Sequence, residues 1–161
     1  MIEPRTLARD FARNIGIITM QVEGLSHADS LIQTRYNLNS LNWVLGHLAD
    51  SRENVLQALG AATVTDGNEL ARYRRESDPI HEDGPGVVSF ERLIGILEAG
   101  RDRVTEAIEA VEPDQWRAKS EVGDRLVSLG SRIHFLYFHD TYHTGQTELL
   151  RQLAGTNDKV I

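Results

Sequence analysis

The chain contains no cysteine. That single absence excludes disulfides, thiolate metal sites and cysteine nucleophiles. Any metal site must draw on His, Asp, Glu or water. No uninterrupted apolar run approaches the roughly 20 residues that cross a bilayer. The first residues, Met1-Ile2-Glu3-Pro4-Arg5, hold no cationic stretch leading into an apolar one. The sequence therefore reads as a soluble, cytoplasmic protein with no membrane partner. Positive charge is also short. The formal net charge is -7, which argues against nucleic acid, because phosphate asks for a basic face. Convincing strands and internal repeats are missing too.

What remains is ordinary globular composition. With 40% hydrophobic and 25% charged residues, the 161 residues suit one domain spanning 1–161. A chain of this length buries about 70% of its unfolded surface. Four segments show helical periodicity. In the first, Leu7, Phe11, Ile15, Ile18, Val22 and Leu25 share a face, Thr6 is the expected N-cap, and Gly24 ends it. Residues 26–39 are polar and broken, with room for a short turn at 28–32. The second helix is expected from about Ser40 to Leu59, with Asn39 or Ser40 as its cap and Gly60 as its stop. Residues 61–88 form a connection rich in Gly, Pro, Asp and Glu, of a length usually functional or mobile. Ser89 caps a third helix that ends at Pro113. An irregular stretch then leads to a fourth helix, beginning near Ser128 or Ser131 and ending before Gly155. The pattern predicts an all-α four-helix bundle. The long connection between its second and third helices permits a non-sequential crossover.

The fourth segment carries the chemistry: "HFLYFHDTYHTGQTELL", residues 134–150. Phe135, His139, Tyr142, Gln146, Leu149, Leu150 and Leu153 fall at spacings of three and four, so this stripe is expected to face inward. His143 lies one turn beyond His139. Unpartnered polar groups in a core cost about 1–3 kcal/mol each, so something must satisfy them. Two imidazoles at i and i+4 can reach one divalent ion. They can equally be core histidines bonded to carbonyls or carboxylates, and the spacing alone does not decide. A third ligand is available in "SLNWVLGHLADS", where His47 flanks the apolar stripe of the second helix. Asp50, one turn on, is either a fourth ligand, a partner that orients an imidazole, or a solvated residue. His134 projects away from the pair, and His27 and His81 sit in loops. "HDTYH" differs from the His-Glu-x-x-His of zinc proteases. Asp140 is shorter than the general-base Glu, and only 18 residues (161 − 143) follow His143. Tyr142, between the histidines, could donate a proton, but is expected to be a core aromatic. Gln146 is expected to orient a ligand or a helix. Arg72, Arg74 and Arg75 read as a solvated run that could meet an anionic cosubstrate.

With these residues in view, "NSLNWVLGHLADS" at 39–51 and "GDRLVSLGSRIHFLYFHDTYHTGQTELLRQLAG" at 123–155 resemble the two signature regions of the DinB-like (YfiT-like) proteins. In that family a histidine on the second helix follows a tryptophan and a glycine, and the fourth helix carries His-x3-His-x-Gly-Gln. His47, His139 and His143 match the three metal-binding positions. Trp43, Gly46, Gly145 and Gln146 match the surrounding pattern. The resemblance implies a bundle with one divalent ion, zinc or nickel, held by three histidines and water. It also implies a homodimer and a small-molecule substrate. Members of known activity include low-molecular-weight thiol S-transferases, so the implied function is a metal-dependent transferase that activates a small thiol as cosubstrate. A hydrolase using water, and a non-catalytic stress or binding protein with a structural ion, remain open beside it.

Overall fold

A computed structural model of the chain describes residues 3–33 and 36–158. The reading of the first residues as lacking a cationic leader rests partly on Met1 and Ile2, and part of the 26–39 break falls on Thr34 and Arg35. All four lie outside the described residues. Helix α1 spans Pro4–Val22. It starts two residues before the expected Thr6 cap, because Pro4 at N1 has no N–H to leave unsatisfied and a φ already suited to a helix. Helix α2 is one turn, His27–Ser30, fixed by a Ser26/Asp29 capping box. Helix α3 covers Leu41–Ala58 and α4 covers Phe90–Glu109. Their caps fall where the sequence put them: Ser40 Oγ accepts from Trp43 N–H and Ser89 Oγ from Arg92 N–H, both at 3.3 Å. Helix α5 is short, Pro113–Arg117. The last helix, α6, spans Leu129–Leu153 and is capped by Ser128.

One expectation is corrected between α5 and α6. Strands β1 (Lys119–Val122) and β2 (Arg125–Ser128) pair antiparallel, with Val122 opposite Arg125. The two-residue turn Gly123-Asp124 has φ +57° at glycine alone, the II′ pattern that suits hairpin twist. The strands lack an apolar alternation because β1 is fully exposed. Hydrophobic periodicity therefore had nothing to register there.

The four long helices close a ring in which α1 and α3 each pack against α4 and α6. Thus α1 faces α3 across the bundle, and α4 faces α6. Sequential long helices are neighbours only across the 59–89 connection, so the bundle is not a simple up-down-up-down sequence of neighbours. Two apolar clusters fill the interior. One holds Ile15, Ile18, Leu45, Leu48, Leu93 and Leu97, and the other Leu7, Phe11, Val55, Leu56, Val104 and Ile133. Between them in sequence register lies a polar layer. Arg52 Nε is 2.9 Å from Asp140 Oδ2, and its Nη2 donates to Asp140 Oδ1 and to Phe11 O at 3.0 Å. Asn14 Nδ2 also donates to Asp140 Oδ1 at 2.8 Å.

That layer explains the second correction. Helix α6 buries Ile133, Asp140, Thr144, Thr147 and Arg151. Four residues of the expected inward stripe, Phe135, Tyr142, Leu149 and Leu153, are exposed instead. Asp140, Thr144, Thr147 and Arg151 share spacings of three and four as well as the apolar set does. They win the interior because polar partners wait for them there: Arg52 for Asp140, and Gln21 for Thr147.

Candidate metal centre

The three histidines singled out in the sequence come together. His47 projects from the middle of α3, and His139 and His143 from successive turns of α6. Since α3 packs against α6, the rings meet in the seam between them. His139 Nε2 lies 3.2 Å from His47 Nε2 and 3.2 Å from His143 Nε2. All three donor atoms fall within 4.8 Å of one another. Imidazoles bound to one tetrahedral zinc at about 2.0–2.1 Å would have nitrogens roughly 3.3 Å apart. The spacing fits.

The opposite ring nitrogens are all engaged. His47 Nδ1 is 2.8 Å from the Tyr73 carbonyl oxygen, which can only accept, so Nδ1 carries the proton and Nε2 a lone pair. His143 Nδ1 is 2.7 Å from Gln146 Oε1, with the same consequence. His139 Nδ1 meets Ser51 Oγ at 3.2 Å. Two lone pairs thus face His139 Nε2. One N–H there cannot point at both, whereas a divalent ion satisfies every donor. Burial also favours the neutral form of His139 and His143, the form in which an imidazole binds a metal. His139 is pushed down to about 4, first by burial, then by the imidazoles of His143 and His47 and by Arg75. Burial also lowers His143, against the hydrogen bond that its ring donates to Gln146, which raises it.

Tyr73 is the site residue that sequence reasoning missed. It ends a 3-10 turn, Ala71–Tyr73, within the long connection. Its side chain is fully buried. Its hydroxyl donates to Asn42 Oδ1 at 2.9 Å and accepts from Val88 N–H at 2.7 Å. The ring lies against Gly46, where an added Cβ would stand 2.1 Å from Tyr73 Cδ1. Gly46 therefore admits Tyr73, and Tyr73 sets the tautomer of His47. The available signal was the glycine one position before a candidate ligand. The connection, of a length expected to be functional or mobile, is anchored here, and again where Trp43 Nε1 donates to Ser77 Oγ at 2.9 Å.

A cavity of about 440 Å³ opens over the histidines. Trp43, Phe135 and Leu136 give it apolar walls, and Asp50, Ser51 and Asn54 a polar one. The Trp43 ring stacks on His47 at 4.7 Å. Asp50 lines the cavity but is not in the group that could hold an ion. Burial raises its carboxyl, opposed by His47 and Arg74. Of the three arginines, only Arg75 reaches this cavity. Arg72 donates to Asp78 O and Arg74 to Gly67 O. Tyr142 is exposed rather than core, its ring edge-on to His143 at 5.2 Å. His134 and His81 are exposed, as expected. His27 has a structural task, accepting from Phe90 N–H at 3.1 Å at the start of α4.

The comparisons speak for the family and the fold. A family model described as the DinB superfamily matches residues 12–147. A solved structure described as the conserved protein of locus from Enterococcus faecalis is similar, with a TM-score of 0.75 and 15% identity. The alignment covers 97% of this chain and 99% of that one. At that identity the likeness speaks for the fold alone. No curated protein matches. Among the described residues, no helix is long and apolar enough to cross a membrane.

Proposed function

The chain belongs to the DinB superfamily, and from that premise we propose a metal-dependent transferase that activates a low-molecular-weight thiol for attack on an electrophile. His47, His139 and His143 hold one divalent ion, zinc or nickel, both of which suit imidazole nitrogen. The observation that carries this reading is the convergence of three Nε2 atoms whose rings are each fixed from behind. When bound, the ion supplies a Lewis acid able to keep a thiol as thiolate or to lower the pKa of water to about 7. The chain has no thiol of its own, so a cosubstrate must bring one. Tyr73, Ser51 and Gln146 hold the imidazoles in register. Phe135 and Leu136 offer an apolar wall to the electrophile. Arg75 at the rim suits an anionic group on the thiol. Asp50, which lines the cavity and whose carboxyl burial raises, would accept the proton that the thiol loses.

The same carboxyl favours a second reading, a hydrolase in which Asp50 takes its proton from water. Cobalt-loaded protein separates the two. Added thiol should produce a thiolate-to-cobalt absorption band, and thiol should then be consumed with an electrophile only by loaded protein. Cleavage of activated esters without any thiol, and no new band, would move the assignment to the hydrolase. Neither activity, with an ion that exchanges no ligand, would leave a structural ion.

A further inference from the structure

Helix α6 carries two faces with a helical period, on opposite sides of its axis. At about 100° per residue, Asp140, Thr144, Thr147 and Arg151 centre roughly half a revolution from Phe138, Tyr142, Leu149 and Leu153. The polar set is buried and the apolar set exposed. Hydrophobic burial alone would choose the other face. His139 and His143 lie at the edge between the two, on the side of α3. Thr141 lies at the opposite edge, where Asn14 of α1 donates to its Oγ1 at 3.0 Å. A rotation of α6 that buried the apolar stripe would therefore carry both histidines away from His47.

One contact opposes that rotation with charge. Arg52 and Asp140 are 2% and 0% exposed, and among the described residues no other ion pair joins two of the long helices. Both stand beside the histidines. Asp140 follows His139, and Arg52 follows Ser51, whose Oγ meets His139 Nδ1 at 3.2 Å. The pair is costly. Burial strips the hydration from a guanidinium and a carboxylate, and Arg52 Nη1 is buried with no hydrogen-bond acceptor among the described residues. Well-packed apolar residues often hold such a position as firmly or more so. We propose, on the reading of the three histidines as metal ligands, that Arg52 and Asp140 are positioning residues of that centre. They choose which face of α6 enters the bundle, and so bring His139 and His143 to His47. Turned the other way, α6 would leave the Arg52 charge buried against an apolar stripe with no partner.

Arg52→Met/Asp140→Leu tests this, because it replaces the charges by apolar side chains. The variant should unfold cooperatively, at a urea concentration no lower than the parent, yet bind zinc about 10–100-fold more weakly in competition with a chelator. Its cobalt form should lose the strong visible absorption of a four-coordinate ion. Asp140→Asn should do the reverse. Its amide oxygen still accepts from Arg52 and Asn14, so zinc affinity should stay at the parent value while the urea midpoint falls. The face of α6 can also be read without metal. Thr144 is buried and the chain has no cysteine, so Thr144→Cys should resist a thiol reagent in the parent background and react in the folded double variant. A double variant that binds zinc as the parent does, with Thr144→Cys still protected, would overturn the proposal. So would a double variant that does not fold, since the pair would then hold the bundle together rather than choose a face. A parent that binds no ion, with Thr144→Cys protected in one background and reactive in the other, would overturn the metal reading and keep the pair as what sets the face of α6.

Discussion

Gly46→Ala puts the account of the histidine site under direct strain. The new Cβ would lie 2.1 Å from Tyr73 Cδ1 and 2.4 Å from Cγ and Cε1. The ring has nowhere to go: it is fully buried, and its hydroxyl is held by Asn42 and Val88. Expelling a buried aromatic forfeits about 3–5 kcal/mol. Alanine returns about 1 kcal/mol of helix propensity. The net loss is about 2–4 kcal/mol, a fall in Tm of roughly 5–15 °C for a domain of this size. Metal affinity should fall as well, by about 10–100-fold, because the Tyr73 carbonyl no longer orients His47. Urea unfolding followed by circular dichroism gives the first quantity, and competition with a chelator the second. Gly95→Ala is the control. It is an exposed site in α4 where a Cβ meets nothing within 4 Å, and it should stabilise by about 0.5–1 kcal/mol. If Gly46→Ala matched that control, the packing of Tyr73 on α3 would be wrong, and with it the reason for a glycine beside His47.

Other perturbations probe separate parts of the structure. Asp140→Ala leaves the Arg52 guanidinium buried without its carboxylate and should cost about 3–5 kcal/mol in urea unfolding. A change below 1 kcal/mol would mean that the pair does not hold α6 to α3. Gln146→Leu frees His143 Nδ1 and should weaken metal binding about 10–100-fold while moving stability little. Unchanged affinity would show that Gln146 does not set the ring. Glu53 sits buried on α3 and accepts Val64 N–H, yet burial raises its carboxyl above 4.5. The unfolded chain therefore loses this proton at lower pH than the folded one. Its contribution to stability is present below pH 4.5 and declines as pH rises through the raised folded value. Glu53→Gln should remove that decline, so parent and variant curves should diverge above pH 4.5. Parallel curves would contradict the assignment.

The helices and their caps were legible because they rest on local chemistry: Ser40, Ser89 and Ser128 each accept an N–H within the first turn they begin. The convergence of His47, His139 and His143 was legible in two steps: the i, i+4 spacing puts His139 and His143 on one side of α6, and the resemblance of the residues around His47 to a family pattern joined it to them. The burial of α6 was not. Its apolar stripe has a helical period, and so does the polar set of Asp140, Thr144, Thr147 and Arg151. Only the positions of Arg52 and Gln21 on other helices decide which faces inward. Tyr73 escaped for a related reason. Its role depends on a contact 27 residues back in the chain, against a glycine whose missing side chain gives no pattern of its own. The hairpin at 119–128 was hidden by exposed strands.

Metal content tests the central claim most directly. Untagged protein prepared without chelator would be measured by mass spectrometry beside His47→Ala and His143→Ala. About one divalent ion per chain is expected in the parent and little in either variant, since three ligands from two helices would share the ion. No ion after reconstitution with zinc and with nickel, or an ion that survives His47→Ala, would contradict it.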